Sequence, residues 1–521
     1  MSSTSVQLNR LLLFVAFLSA ALVLGAGAAR ASWLGTTPAD FAPKGPPSAI
    51  YELEIPASLP PEAKRRVFAM YAMDPNERGK AIYEYWEKPD QAWPVMPWLI
   101  ALLGDKERFG TRLRKVEVGL VSARLLEELG TQAVPPLLKT LEANPEPYVQ
   151  GMILEVLGKI HDPRSLDAII KISRAPDTAQ ETTEAKLVNI APKFEKPKAP
   201  PAPPEIRAKA VKSLRDFKDP KVSPALIASL SDPSPMVRAA AAEALTERGD
   251  PQAIEALMLA ARDKHPQVRR KVMTTLRRYQ DRRAVVIFIG GLQDNDTEVR
   301  RISAKALGYI RDARAAQPLL QAVSDPDAGV RQNAINSLQY YNNPAAVGPV
   351  ARALADKSNG VRAKAALVLG PIGLGPVSDP QAVAALVLAT RDLHPQVRRN
   401  AVAALKHVKD PRALEALLAA CQDGYMPARV HAVNNLGFIQ DSRATQALIK
   451  ALQDAEFDVR LRAAEGLGRL KDKQAIKPLI EALGDQKRRV REAAADSLQL
   501  ITGWRYGADQ EGWRKWYLTH R

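Results

Sequence analysis

Two stretches of this chain, DKHPQVRR at 263–270 and DLHPQVRR at 392–399, each place a histidine beside paired arginines. A histidine so placed could serve as a base or a metal ligand. The arginines beside it could hold an anion. The chain has six histidines, His161, His265, His394, His407, His431 and His520, and none is followed by glutamate. CxxC, HExxH and GxxxxGK[ST] patterns are absent, so no common zinc, redox or phosphate-loop chemistry is indicated. Cys421 is the single cysteine, so no internal disulfide can form and the fold rests on packing.

The elements that carry these residues decide how to read them. Arginines recur at Arg207, Arg238, Arg269, Arg300, Arg331, Arg362, Arg398, Arg429, Arg460 and Arg491. Every step is 31 residues except one of 36. A leucine follows each by seven positions, from Leu214 to Leu498. An aspartate precedes all but the first by six: Asp232, Asp263, Asp294, Asp325, Asp356, Asp392, Asp423, Asp454 and Asp485. The two histidine strings are therefore four periods apart, plus a five-residue insertion within GPIGLGPVSDP (370–380).

A period near 31 marks one small unit stacked many times. In PQAIEALMLAARD (251–263) and PQVRRKVMTTLRRY (266–279), apolar residues return every three or four positions. Each unit is therefore two helices, which can bury both faces only between neighbours. Four residues before each arginine stand Ser234, His265, Asp296, Asp327, Ser358, His394, Tyr425, Glu456 and Lys487. Ser and Asp at that seat suit the N-cap of the second helix. Pro266 and Pro395 then suit its first position. His265 and His394 read as occupants of a capping seat. Cys421 shares its register with Leu230, Ala261, Leu292, Val323, Leu354, Thr390, Leu452 and Leu483, and reads as a core residue.

The D-x5-R spacing, the V-R pair and the A-L-G ending, as in VRRISAKALGYIRD (299–312), resemble bacterial HEAT-like repeats of the phycobilisome-lyase type. The resemblance covers 205–503 strongly and 95–174 weakly. It implies an all-α fold, a right-handed ARM/HEAT-like solenoid with its second helices on the concave face. It also implies a structural ladder in which Asp232, Asp263, Asp294, Asp325 and Asp356 meet Arg238, Arg269, Arg300, Arg331 and Arg362. Deoxyhypusine hydroxylase, another HEAT protein, takes its metal ligands from His-Glu pairs. Those are absent here, so that activity is not carried over and no metal or cofactor is expected.

What the architecture leaves free is the candidate site. Nine positions after the arginine, Tyr309, Tyr340 and Phe438 stand where the repeat imposes no residue type, and exposed aromatics there could anchor a partner. Between Arg262 and Arg314, fourteen Lys and Arg face six Asp and Glu. Arg270, Lys271, Arg277, Arg278, Arg301 and Lys305 have no place in the ladder. They are expected to form a basic patch for an acidic partner.

The remaining organisation follows from composition. Residues 11–29 are apolar and Ala29-Arg30-Ala31 fits a cleavage site, so 1–31 reads as a signal peptide or an uncleaved anchor. Cleavage would remove Arg10 and Arg30, taking the formal charge from +17 to +15. Residues 32–94 read as a proline-rich segment and helical cap, 95–174 as degenerate repeats and 175–204 as a proline- and charge-rich insertion. Ten regular repeats fill 205–503, and a tryptophan-rich capping helix fills 504–521. The expectation is an exported, non-catalytic scaffold of the bacterial periplasm or cell envelope, binding an acidic protein on its concave face. The alternatives are a binder of an anionic envelope polymer, with nucleic acid a weaker fit, and an enzyme or enzyme subunit of the HEAT-like lyase group.

Overall fold

A computed structural model describes residues 53–174 and 202–520, apart from short breaks at 54, 57, 86–88, 112–113, 371–372 and 375–377. The signal peptide or anchor, Trp33 and nearly all of the 175–204 insertion lie outside the described residues. The chain divides into two compact units between Thr275 and Leu276.

In the second unit the repeat is legible from Asp296 onward. The Asp296 carboxylate accepts from the N–H groups of Glu298 and Val299 and starts the helix Thr297–Ile310. Val299, Ser303, Ala306, Leu307 and Ile310 are buried along it. The helix stops where Arg311 turns left-handed, at φ 54°. Asp312 then caps a short turn by accepting from the Arg314 N–H, and the next first helix, Ala316–Ala322, begins.

The ladder is present. Arg300 donates from Nε and Nη2 to the two oxygens of Asp325, at 2.8 and 3.2 Å, and from Nη1 to the carbonyl of Asp294 at 2.9 Å. The same fork joins Arg331 to Asp356, Arg398 to Asp423, Arg429 to Asp454 and Arg460 to Asp485. Arg362 reaches Asp392 at 2.6 Å although the five-residue insertion lies between them. Each aspartate also accepts from the N–H two residues on, as Asp356 does from Ser358 at 2.8 Å. In the first unit, Arg207 pairs with Asp232 and Arg238 with Asp263, while Arg269 donates to the Asp263 carbonyl at 2.8 Å. The Asp294 carboxylate accepts from the Asp296 N–H at 2.8 Å.

Second helices also touch through small residues. The Ser337 hydroxyl donates to the Ala304 carbonyl at 2.8 Å, and Ser497 does the same to Ala464. Gly308 ends the A-L-G motif and Gly468 the equivalent Gly466-Leu467-Gly468, and a Cβ at either would run into the hydroxyl of Ser337 or Ser497. The motif's glycine is thus a close-approach residue.

Two features of the first unit differ from the expectation. Arg78 makes a rung of the ladder's form, with Nε on Asp105 at 2.7 Å and Nη1 on the carbonyls of Ala72 and Met73. Among the described residues, a two-stranded antiparallel hairpin, Arg108–Thr111 with Arg114–Glu117, follows it.

At the far end, Gln510–Thr519 lies on the last first helix, Ile476–Ala482, with Gln510 Nε2 donating to the Ile480 carbonyl at 2.8 Å. Trp513 is fully buried and donates to the Gly507 carbonyl, Trp516 stacks on His520, and Tyr517 is half-buried. Among the described residues, no helix is long and apolar enough to cross a membrane.

Candidate binding surface

The residues proposed for chemistry are absorbed by the architecture. Cys421 is buried, and burial pushes its thiol up to about 12, so it carries no thiolate at neutral pH. His394 takes the N-cap position of Pro395–Ala404, but its ring makes no capping bond. Ser234 and Ser358 make none either, whereas Asp296 and Asp327 do, so aspartate does the capping at this seat. The caps of the first helices carry a second aspartate period that the sequence reading missed. Twelve positions after the arginine stand Asp219, Asp250, Asp281, Asp312, Asp410, Asp441 and Asp472, with Asn343 in the same place. Asp281, Asp312, Asp410 and Asp441 each also pair with an arginine two residues on.

The expected basic patch needs correcting. Arg301 is not unassigned: it holds Asp327 bidentately at 2.8 and 2.7 Å and also reaches Glu298. Asp327 is pulled down to about 2, first by that hydrogen bond. Lys271 pairs with Glu243 at 3.1 Å on the first unit. Arg270 is exposed on that unit, and Arg277, Arg278 and Lys305 lie on the second, where Arg278 and Lys305 are exposed. The count of cations in 262–314 therefore overstates the charge open to a partner, since carboxylates already face several of them.

The three aromatics are exposed, Tyr309 by 50%, Tyr340 by 43% and Phe438 by 42%. The guanidinium of Arg311 lies 4.6 Å from the Tyr340 ring. Phe438 is flanked by Arg469 at 4.6 Å and Lys406 at 5.0 Å, with His407 against it edge-on. Each of these rings is thus a cation-flanked anchor, except Tyr309.

A second cation group lies where the sequence reading assigned none. The second helices Ala328–Leu338, Asn359–Val368, Pro395–Ala404 and Met426–Leu436 contain no Asp or Glu. Lys364 on the second of these is half-buried, lowered by burial, and among the described residues is bonded only to Asn336 Oδ1, at 3.0 Å. Arg399 makes no hydrogen bond or ion pair with the described residues. The reason is positional. Arg301 finds its carboxylate 26 residues on, at Asp327, and 26 residues after Arg399 stands Tyr425. His431 stands on Met426–Leu436, the second helix between those that carry Arg399 and Arg462, and is pushed down by burial first and then by those two charges. The signal was available in sequence as the residue type at the capping seat of the following repeat.

A family model for HEAT repeats matches in five overlapping segments, 200–264, 254–335, 316–392, 383–458 and 445–507, more than half of the sequence. The chain belongs to the HEAT-repeat family. No curated relative matches. Among solved HEAT-type structures, human deoxyhypusine hydroxylase is 24% identical over 55% of this chain and 97% of its own, with a TM-score of 0.24. A CpcE–CpcF phycocyanin lyase chain from Nostoc is 20% identical over 55% and 97%, with a TM-score of 0.27. Kap95p, described with RanGDP, is 13% identical over 88% of this chain and 69% of its own, with a TM-score of 0.49. At these identities the relatives lend this HEAT chain no activity.

Proposed function

We propose that this HEAT-repeat chain is a non-catalytic scaffold that binds an acidic protein segment on the row formed by its second helices. The observation that carries the reading is the pairing of two features on one row. Exposed aromatics stand at the helix ends, at Tyr309, Tyr340 and Phe438. Four consecutive second helices lack any carboxylate. Cations without carboxylates give a surface that attracts acidic partners, and aromatic anchors supply apolar contact. Export to a bacterial envelope belongs to the same proposal. It is supported by the apolar run at 11–29 and the cleavage pattern before Ser32, and N-terminal sequencing of the mature chain tests it.

A photoreactive phenylalanine analogue at Tyr309 or Tyr340, introduced in the producing cell, should cross-link to a protein. The same probe at Leu388, exposed on the first helix Pro380–Ala389, should not. Equal cross-linking from both rows would reject the scaffold reading. The same cation-rich row favours an anionic polymer as the second reading. Polymer binding would weaken about linearly on a log–log plot as salt rises, with a slope near the number of charges neutralised.

A further inference from the structure

We infer that the second-helix row between Pro395 and Leu470 is a subsite for an extended acidic peptide, with carboxylates seated on Arg399 and Arg462 either side of His431 and an apolar side chain on Phe438. The inference deepens the proposed scaffold function and rests on it.

The argument begins with what these cations lack. Along the ladder every arginine from Arg300 to Arg460 grips an aspartate with two donors. On the row beside it, Arg399 grips nothing among the described residues, and Arg462 reaches only Glu465 of its own helix, at 2.8 Å. Arg469 lies over the Phe438 ring at 4.6 Å, its Nη2 3.4 Å from Asn434 Oδ1 and its Nε buried with no acceptor among the described residues. It is wedged where Gly437 and Gly466 approach, since a Cβ on Gly437 would come within 2.9 Å of Nη2. Burial lowers Arg469, Glu465 opposes this, and Arg462 adds a smaller lowering. A ligand that brought carboxylates would supply the partner that Arg399 lacks among the described residues and a second one for Arg462.

Spacing selects the ligand. Packed helix axes lie roughly 9 Å apart, so Arg399, His431 and Arg462, on three successive second helices, step by about that distance. An extended peptide in the polyproline II conformation rises about 3.1 Å per residue with three residues per turn, so every third side chain falls on one face and meets the next helix. A nucleic-acid strand carries a charge about every 3.4 Å of axis, far denser than this row. Phe438, held between Lys406 and Arg469, offers an apolar face beside the charges.

The test uses the full chain and a fluorescein-labelled ten-residue peptide, with glutamate at every third position, one leucine and otherwise serine. Anisotropy should report binding that falls at least tenfold in Arg399→Glu/Arg462→Glu. It should change less than twofold in Lys450→Glu/Lys477→Glu, which makes the same charge change on exposed first-helix lysines. Arg399→Gln/Arg462→Gln should lie between, and thermal melts confirm that each variant folds. Peptide binding should also move the His431 imidazole, followed by NMR, toward its ordinary pKa.

Equal losses in both reversal pairs would overturn the subsite in favour of diffuse attraction. Tighter binding of a single-stranded DNA of equal charge would overturn it in favour of a polyanion. No peptide binding at all would also overturn it, while cross-linking from Tyr309 and Tyr340 would leave the scaffold reading standing.

Discussion

Arg398 and Arg399 are neighbours in the chain, and they meet opposite surroundings. Arg398 holds Asp423 with two donors at 2.6 and 2.9 Å and the Asp392 carbonyl with a third. For Arg399, one position on, the seat 26 residues later, from which Asp327 answers Arg301, holds Tyr425. In the repeat at Arg300 and Arg301 both arginines are answered, by Asp325 and Asp327. Among the differences between these repeats, the one that bears on the second arginine is the residue 26 positions on, Asp327 in one and Tyr425 in the other. It shows that a cation's type says little about its role until the residue opposite is known. The periodic arginine serves the stack, and its neighbour is available to a partner only where the next repeat withholds an acid.

The comparison can be broken from either side. The largest expected effect is on stability. Arg398→Ala takes the guanidinium from the largely covered Asp423 carboxylate, leaving it the Tyr425 N–H, and should cost about 3 kcal/mol, read as a lower urea midpoint. Arg399→Ala should move that midpoint little, within about 0.5 kcal/mol. Next, Gly308→Ala should cost about 1–3 kcal/mol by overpacking against Ser337, and Gly308→Ala/Ser337→Ala should recover part of it. Arg491 donates to the carbonyls of Asp485 and Gln486 but to no carboxylate among the described residues. Arg491→Ala should therefore cost about 1 kcal/mol, well short of Arg398→Ala.

The smallest effect is with pH. Burial alone would raise Asp356, Asp392, Asp423 and Asp485, but hydrogen bonds from their arginines and from backbone N–H groups hold each below 3.8. A carboxyl lowered by folding stabilises above its unfolded pKa and loses that contribution as pH falls through its folded value. The thermal midpoint should thus be flat above about pH 5 and fall below about pH 4.

Much of this was legible in the sequence because repetition averages over accident. Ten copies make the periods of Arg300 and Asp325 visible without any structure; that the two residues meet between units was implied by the resemblance, and the structure shows the pair. Arg78 and Asp105 make the same rung, yet nothing announced them, because a hairpin follows directly and breaks the spacing. The second aspartate period, at Asp312 and its equivalents, was there to be counted. The basic patch was misplaced for a physical reason. Net charge along a segment sums cations with the nearest acids in sequence, whereas Arg301 is neutralised by Asp327 from the next repeat. Conversely, Arg399, His431 and Arg462 are scattered over three repeats, and only stacking makes them neighbours.

Tyr425→Asp tests the central claim most directly, because it changes neither arginine. The new carboxylate would stand to Arg399 as Asp327 stands to Arg301, 26 residues on in each case. Affinity for the glutamate-spaced peptide should fall severalfold, with the urea midpoint unchanged or raised. Unchanged affinity in a folded Tyr425→Asp chain would contradict the account, since it would mean that an unanswered Arg399 is not what the partner reads.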